Sequence, residues 1–338
     1  MTVYAHWLKG ENIQNFGDFL TDYFLSKMFT PDETKESKAT VHLVGSVLSD
    51  WQVTEDKRLF PTDVARVFWG VGAREESSLE QILSDLSNFV LSVRGPATAL
   101  QLGVPDGLVY GDPALLLPLV FNPHPTGTRI KNLLIPHFLD TRSDAFLLEI
   151  TGADEVLRPN IPPNLAAIER FLSRLCSAER VLCGALHGAI VAEAYGVEYL
   201  YWDSGKIDVP FKWEDFSQSV GRKTPFIKSF YDWPDATTQT QKRISKLALS
   251  LSAPRLVRPE ILELALAQDL QDIGTDGLVL QLTRLAQGNL RILAHAIRLV
   301  AERDGLVAER HAVIRSLSWR WTAPLRQAKR VCSFFNRI

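Results

Sequence analysis

The chain has 338 residues, enough for two medium domains, and its 46% hydrophobic and 22% charged content is that of an ordinary globular protein, not a disordered or fibrous one. A formal net charge of -2 argues against a general nucleic-acid binder, and Cys176, Cys183 and Cys332 lack the C-x-x-C spacing of a zinc site or a disulfide framework. Without about 18 uninterrupted apolar residues, or a basic segment followed by an apolar run at its start, the sequence predicts a cytoplasmic protein that is neither exported nor integral.

The first element is Asn15-Phe-Gly-Asp18 leading into Phe19 to Met28, where Phe16, Phe19, Leu20, Tyr23, Phe24 and Met28 recur at helical spacing and predict one apolar stripe facing a sheet. Its polar start reads two compatible ways. Asn15 or Asp18 caps free backbone N–H groups, and Gly17 opens the helix start toward an anionic ligand. Two short apolar runs follow, at 41–47 and 66–72, each ending in glycine as buried parallel strands do. Gly45, Gly70, Gly72 and Arg74 are then candidates to line a cleft past the strand ends, although no G-x-G-x-x-G opens a helix. A strand at 89–93 runs into Arg94, with Pro96 suited to the first turn of a helix that ends near Gly103. Arg94 projects from that strand end, where its rigid fork of donors suits a carboxylate or a phosphate. The strand Gly107 to Pro113 closes the first half on a Gly-Asp-Pro turn carrying Asp112.

From Phe121 to Thr128 the chain is rich in turn formers, which predicts a boundary between residues 1–122 and 128–235. A second alternation then begins. Strands are predicted ending at Pro136, beside His137 and Asp140, and at 145–150, 155–158, 180–183 and 198–202; helices at 163–176 and 189–195. His187 falls at the turn between the strand Arg180 to Cys183 and the helix that follows, a place where α/β proteins set reactive side chains. Two successive alternations predict an α/β fold of two Rossmann-like domains with a cleft between them. The stretches Ser49 to Pro61 and Asp203 to Thr224 show no pattern and are read as acceptor loops.

After Trp233-Pro234 the pattern turns helical, at 238–252, 259–268 and 278–304, which predicts a helical C-terminal extension over 236–338 packed on or returning to the first half. Its last part, from Arg310 on, carries Arg315, Arg320, Arg326, Lys329, Arg330 and Arg337 and no acid. Leu325, Ala328, Val331, Cys332 and Phe335 share the opposite side of an amphipathic helix, either packed on the body or lying on an anionic membrane face with Trp319 and Trp321 at the interface.

Taken in order, Asn15-Phe-Gly-Asp18, Ser92-Val-Arg-Gly-Pro-Ala-Thr98, Gly111-Asp-Pro113, Ile135-Pro-His-Phe-Leu-Asp140, Leu186-His-Gly-Ala-Ile-Val-Ala-Glu-Ala-Tyr-Gly196 and Lys212-Trp-Glu-Asp215 resemble the polysaccharide pyruvyl transferase family, in particular bacterial exopolysaccharide ketal-pyruvate transferases, over roughly residues 10–235. The segment Ser318 to Arg326 is similar to C-terminal tails of bacterial exopolysaccharide glycosyltransferases. The resemblance implies a glycosyltransferase-B-like pair of domains, phosphoenolpyruvate as donor substrate, and a sugar on a lipid-linked oligosaccharide as acceptor. It implies neither a metal nor a cofactor. The partners it implies are these substrates and the inner membrane face, through the tail.

By the same resemblance His187 is the catalytic histidine, with Asp18 and His137 as further candidates. Donor binding falls to Arg94, Arg74, Asn15, Gly17, Leu186 and Lys212, and acceptor binding to Asp112 and Asp140. An enol phosphate becomes electrophilic at its central carbon once its methylene carbon takes a proton, so a general acid must stand over it, and a histidine can supply that proton near neutral pH. The donor's roughly three negative charges call for cationic clamps. Many family members carry an arginine two residues before the histidine, where this chain has Ala185; Arg74, Lys206 and Lys212 are the candidates to replace it. The rival readings are a sugar-nucleotide glycosyltransferase of the same shape and a non-catalytic scaffold of polysaccharide assembly. On the main reading, His187→Ala and Arg94→Ala each abolish transfer without unfolding the protein.

Overall fold

The computed structural model of the chain describes residues 2–4, 12–29, 38–60, 65–75, 78–85, 87–104, 108–124, 128–234, 244–253, 257–283 and 285–287. In chain order the first half comprises β1 (Thr2–Tyr4), β2 (Gln14–Asn15), α1 (Phe16–Lys27), β3 (Lys38–His42), α2 (Asp50–Leu59), β4 (Ala65–Val71), α3 (Glu80–Ser84), β5 (Asn88–Val93), α4 (Pro96–Gln101), β6 (Val109–Tyr110) and a 3-10 run, Pro113–Leu119. The second half comprises β7 (Ile130–Ile135), α5 (Asp144–Thr151), β8 (Glu155–Val156), β9 (Asn160–Ile161), α6 (Leu165–Leu175), β10 (Ala178–Cys183), α7 (Leu186–Tyr195), β11 (Glu198–Trp202), α8 (Pro210–Val220) and β12 (Phe226–Ile227). A 3-10 turn, Phe230–Asp232, and two further helices, α9 (Lys246–Leu251) and α10 (Pro259–Asp272), follow, and the chain is helical again at 274–283.

The fold is α/β, built on two five-stranded sheets ordered β1-β3-β4-β5-β6 and β12-β11-β10-β7-β8, with every pairing within them parallel. Buried apolar side chains form one continuous cluster between the sheets. Val41, Val67 and Trp69 of the first sheet and Leu133, Val181 and Tyr199 of the second meet there through α1, the 3-10 run, α6, α7 and α9. The outer face of each sheet has its own smaller cluster, with Val53, Phe68 and Ala99 on the first and Leu147, Leu182 and Leu200 on the second. A short antiparallel ladder, β2 with β9, ties the start of α1 to the second half, and Phe16 N–H donates to the Pro159 carbonyl at 2.7 Å.

The helices α9 and α10 lie against the first half. The Trp69 indole donates to Ser252 Oγ at 2.8 Å, and the Arg258 guanidinium donates to the Phe29 and Ser26 carbonyls. The tail at 318–338 and the predicted helical stretch from 288 to 304 lie outside the described residues, as does 235–243. Among the described residues no helix is long and apolar enough to cross a membrane.

Three expectations are corrected. Residues 145–150 are helical, within α5: Ser143 caps its start by accepting from the Phe146 N–H, and Gly152 ends it at φ 68. Such a short apolar run fits strand or helix, and the two caps decide. The stretch from Ser49 forms α2, with Ser49 as its N-cap, and 203–224 contains α8, so neither is an acceptor loop throughout. The strand expected over Gly107 to Pro113 shortens to Val109–Tyr110, because Asp112 already caps the 3-10 run.

Candidate active site

The candidate side chains sit on turns that leave the C-terminal ends of parallel strands, where an α/β fold exposes its binding crevice. Ser46 follows β3, Arg74 follows β4, Arg94 follows β5 and Asp112 follows β6; His137 follows β7, His187 follows β10 and Lys212 follows β11. The start of α1 faces them from the β2–β9 ladder. Asn15 Oδ1 accepts from the Gly17 N–H at 3.3 Å, which makes Asn15 the cap, and Asn15 Nδ2 donates to Asp18 Oδ2 at 3.0 Å.

His187 lies in the first turn of α7, one residue further into the helix than its sequence setting suggests. Two neighbours flank its ring. A Cβ at position 17 would overlap the imidazole at Nδ1, so only glycine lets the start of α1 come this close. On the other side Nε2 lies 3.8 Å from Asp112 Oδ2 and is buried without a hydrogen-bond partner. Asp112, 1% exposed, is placed by two glycines: Gly70 has φ 71, and a side chain there would run into Pro113 and the Gly111 carbonyl, while Gly111 has φ 146.

The electrostatics of this pair are unusual. Burial, then the Lys212 and Arg94 cations, push His187 down to about 3, whereas burial raises Asp112 to about 7 against the pull of the Ala114 N–H and Arg94. With these neighbours alone the imidazole is neutral at neutral pH, so His187 by itself is not a ready general acid. Asp18 is also raised by burial, opposed by Asn15 and Lys212.

Arg94 is placed differently from its expected role. It is 1% exposed, its Nε donates to Asp215 Oδ2 at 3.2 Å, Nη1 donates to Ser46 Oγ at 3.0 Å, and Gly72 leaves room for the guanidinium. Asp215 also accepts from the Thr98 N–H and hydroxyl at 3.0 and 2.7 Å. The pair is thus an interior bond between the first half and α8. It gives the acid of Lys212-Trp-Glu-Asp215 a partner that sequence reasoning missed.

Lys212 Nζ is bonded to Asp208 Oδ2, and the field of Lys212 reaches both Asp18 and His187. Burial lowers Lys212, Asp208 opposes this, and Arg94 and Arg74 add to it. Arg74 is exposed, with Nε 3.5 Å from the Ser46 carbonyl. Of the three candidates to replace the cation absent at Ala185, Lys212 and Arg74 thus stand on the site. Lys206 stands exposed on the loop after β11, its carbonyl accepting from Ser204. Ala185 provides no side-chain cap to α7.

The remaining candidates are further out or occupied. His137 Nδ1 accepts from the Leu139 N–H at 3.3 Å, and its Nε2 lies 3.6 Å from Asp208. Asp140 is held by Arg142 through bonds of 3.0 and 2.6 Å, which keep its carboxyl below the usual range, and Arg142 packs over Trp202. The Leu186 side chain belongs to the central core. Among the described residues no group of three His, Cys, Asp or Glu side chains gathers as a metal site.

Comparison with known proteins gives two findings. Residues 55–198 match the family model described as polysaccharide pyruvyl transferase. The chain is also similar to the succinoglycan biosynthesis protein ExoV of Rhizobium meliloti (strain 1021), 30% identical over 134 residues, which is 39% of this chain and 40% of that protein's length. The matched spans include Arg74, Arg94, Asp112 and His187 in the case of the family model.

Proposed function

We infer the function of this chain from its match, over residues 55–198, to the polysaccharide pyruvyl transferase family model and from its similarity to the succinoglycan biosynthesis protein: it is a transferase that moves the pyruvyl group of phosphoenolpyruvate onto a sugar of an exopolysaccharide repeat unit. The observation that carries this reading is one histidine, His187, packed against Gly17 with its Nε2 buried and unbonded 3.8 Å from Asp112, standing in the field of Lys212 and Arg94. A neutral imidazole among cations favours an anionic ligand.

The chemistry follows from that state. A donor carboxylate and phosphate beside Lys212 and Arg74 offset the field that keeps His187 neutral, and the uncapped N–H groups at the start of α7 add donors for an anion. The proton that Asp112 holds before the donor binds then passes to His187, which delivers it to the methylene carbon of the enol phosphate. An acceptor hydroxyl adds to the central carbon and returns its proton to the His187–Asp112 pair. The C–O bond to phosphate breaks, and a second hydroxyl closes a cyclic ketal, its proton leaving with the phosphate. On this reading Asp112 serves His187 and not the acceptor, and Arg94 shapes the pocket from behind, with the donor touching Lys212 and Arg74. The acceptor is a lipid-linked oligosaccharide on the inner membrane face, and no metal or cofactor enters.

Incubating the protein with phosphoenolpyruvate and a lipid-linked oligosaccharide extract, with mass spectrometry for pyruvyl addition and an assay for released phosphate, tests donor and acceptor together. The expected result is addition that is lost in His187→Gln. No addition, with thermal stabilisation by a uridine or guanosine diphosphate sugar and none by phosphoenolpyruvate, would favour the glycosyltransferase reading instead. Arg94→Ala is a poor probe of catalysis, because it leaves Asp215 buried without its ion pair, a loss of about 3–5 kcal/mol.

A further inference from the structure

The bonds around Lys212 single out Asp208, a residue outside every motif above. It ends the loop from β11, four residues before Lys212, and its carboxylate is bonded to Lys212 Nζ while lying 3.6 Å from His137 Nε2. Its carbonyl accepts from Trp213 Nε1 at 3.1 Å, which ties the loop to α8. The next residue, Val209, has φ 47, the one non-glycine positive φ among the described residues, and Pro210 follows it. A β-branched residue before proline resists this conformation, so the turn is held against local preference.

A carboxylate beside an anion site repels the ligand, and a strained turn that keeps one there calls for a reason. The surroundings of Lys212 supply it. Arg94 behind β5, Arg74 after β4, His187 on α7, Asp18 on α1 and Asp208 interact with the ammonium, and His137 after β7 faces Asp208. Its side chain is 15% exposed, and both burial and the two arginines act against its charge. Asp208 is the bonded group that favours the charge, and at 45% exposure its carboxylate has solvent to turn into.

Resting on the reading above, we propose that Asp208 is a positioning residue that keeps Lys212 charged and in place before the donor binds, and yields the ammonium to the donor's phosphate or carboxylate. The strain at Val209 then serves to aim this counter-ion. Lys212 touches the donor, and Asp208 acts through it.

The test compares the full-length parent with Asp208→Asn and Asp208→Glu. Without substrate, acetylation of Lys212 by acetic anhydride is followed by mass spectrometry across pH. In Asp208→Asn the reactive neutral amine is expected at lower pH by about one unit, the scale of losing an opposite charge at this distance. Asp208→Glu restores part of the shift. With phosphoenolpyruvate, the loss in Asp208→Asn falls mainly on KM, about tenfold, and the alkaline limb of the pH profile moves down with Lys212. An unchanged Lys212 profile overturns the proposal, as does a lower KM, which would mean that Asp208 only repels the donor. If the Lys212 profile shifts while even the parent neither binds nor turns over phosphoenolpyruvate, the positioning role stands and the pyruvyl-transfer reading fails.

Discussion

The imidazole of His187 and the carboxyl of Asp112 exchange their ordinary order of acidity, and this has a measurable signature. Unfolded, they titrate near 6.5 and 3.8; folded, near 3 and 7. At pH 5 the unfolded pair holds one proton on the histidine, and the folded pair holds one on the aspartate. The two contributions to the pH slope of stability therefore oppose each other in the parent. Removing one partner uncovers the other. In His187→Gln the Asp112 contribution, present below about pH 4, should be lost as pH rises through 7. In Asp112→Asn the histidine contribution, present above 6.5, should be lost as pH falls toward 3. Melting temperatures across pH 4–7, relative to the parent, check this, and two profiles parallel to the parent's would refute the reversed order. Gly17 offers a test by geometry: Gly17→Ala suits a helix, yet its methyl overlaps the His187 ring. Turnover should fall on the order of 100-fold as the ring is displaced, with the melting temperature within a few degrees of the parent. Wild-type turnover in that variant would show that the ring position is not critical.

Among the elements, α8 shows most clearly what local sequence could and could not reveal. Pro210 at its first turn and Gly221 past its end, at φ 67, are ordinary start and stop signals, but the segment in between gives too mixed an apolar pattern to stand out. Its meaning lies in partners: Asp215 with Arg94 and Thr98 far away in sequence, and Lys212 with Asp208 four residues before it. The same segment carries the strain at Val209, worth of order 1–3 kcal/mol. Val209→Gly should therefore leave the protein as stable or up to about 1 kcal/mol more stable in urea denaturation, while loosening the aim of Asp208. A loss above about 1 kcal/mol would mean that packing of the valine outweighs its backbone strain. Elements with capped, strongly periodic sequence were legible: α1, α6 and the strands β4, β5, β7, β10 and β11 fall close to their expected positions. The buried 3-10 run and the β2–β9 ladder were not, because neither has a period and the ladder joins residues about 145 apart in sequence.

At the scale of the whole molecule, the continuous cluster between the sheets predicts one cooperative unfolding transition. Leu249 of α9 is fully buried in that cluster, and Leu249→Ala should lower the single midpoint by the equivalent of about 2–5 kcal/mol. Two transitions in urea, with only one displaced, would show instead that the halves unfold separately. The sequence by itself determined the α/β class, the repeated strand-and-turn order, the polar start of α1 and His187 as the residue to watch. Strand ends, glycines and caps are local features, readable from adjacent residues. Tertiary structure alone decided which partner each charged residue takes. Arg94 and Lys212 look alike as cations in the chain, yet one is paired with Asp215 in the interior and the other with the half-exposed Asp208, where its field reaches His187. Burial and the fields of distant groups set that difference, and both are fixed only when the two sheets close on their shared core.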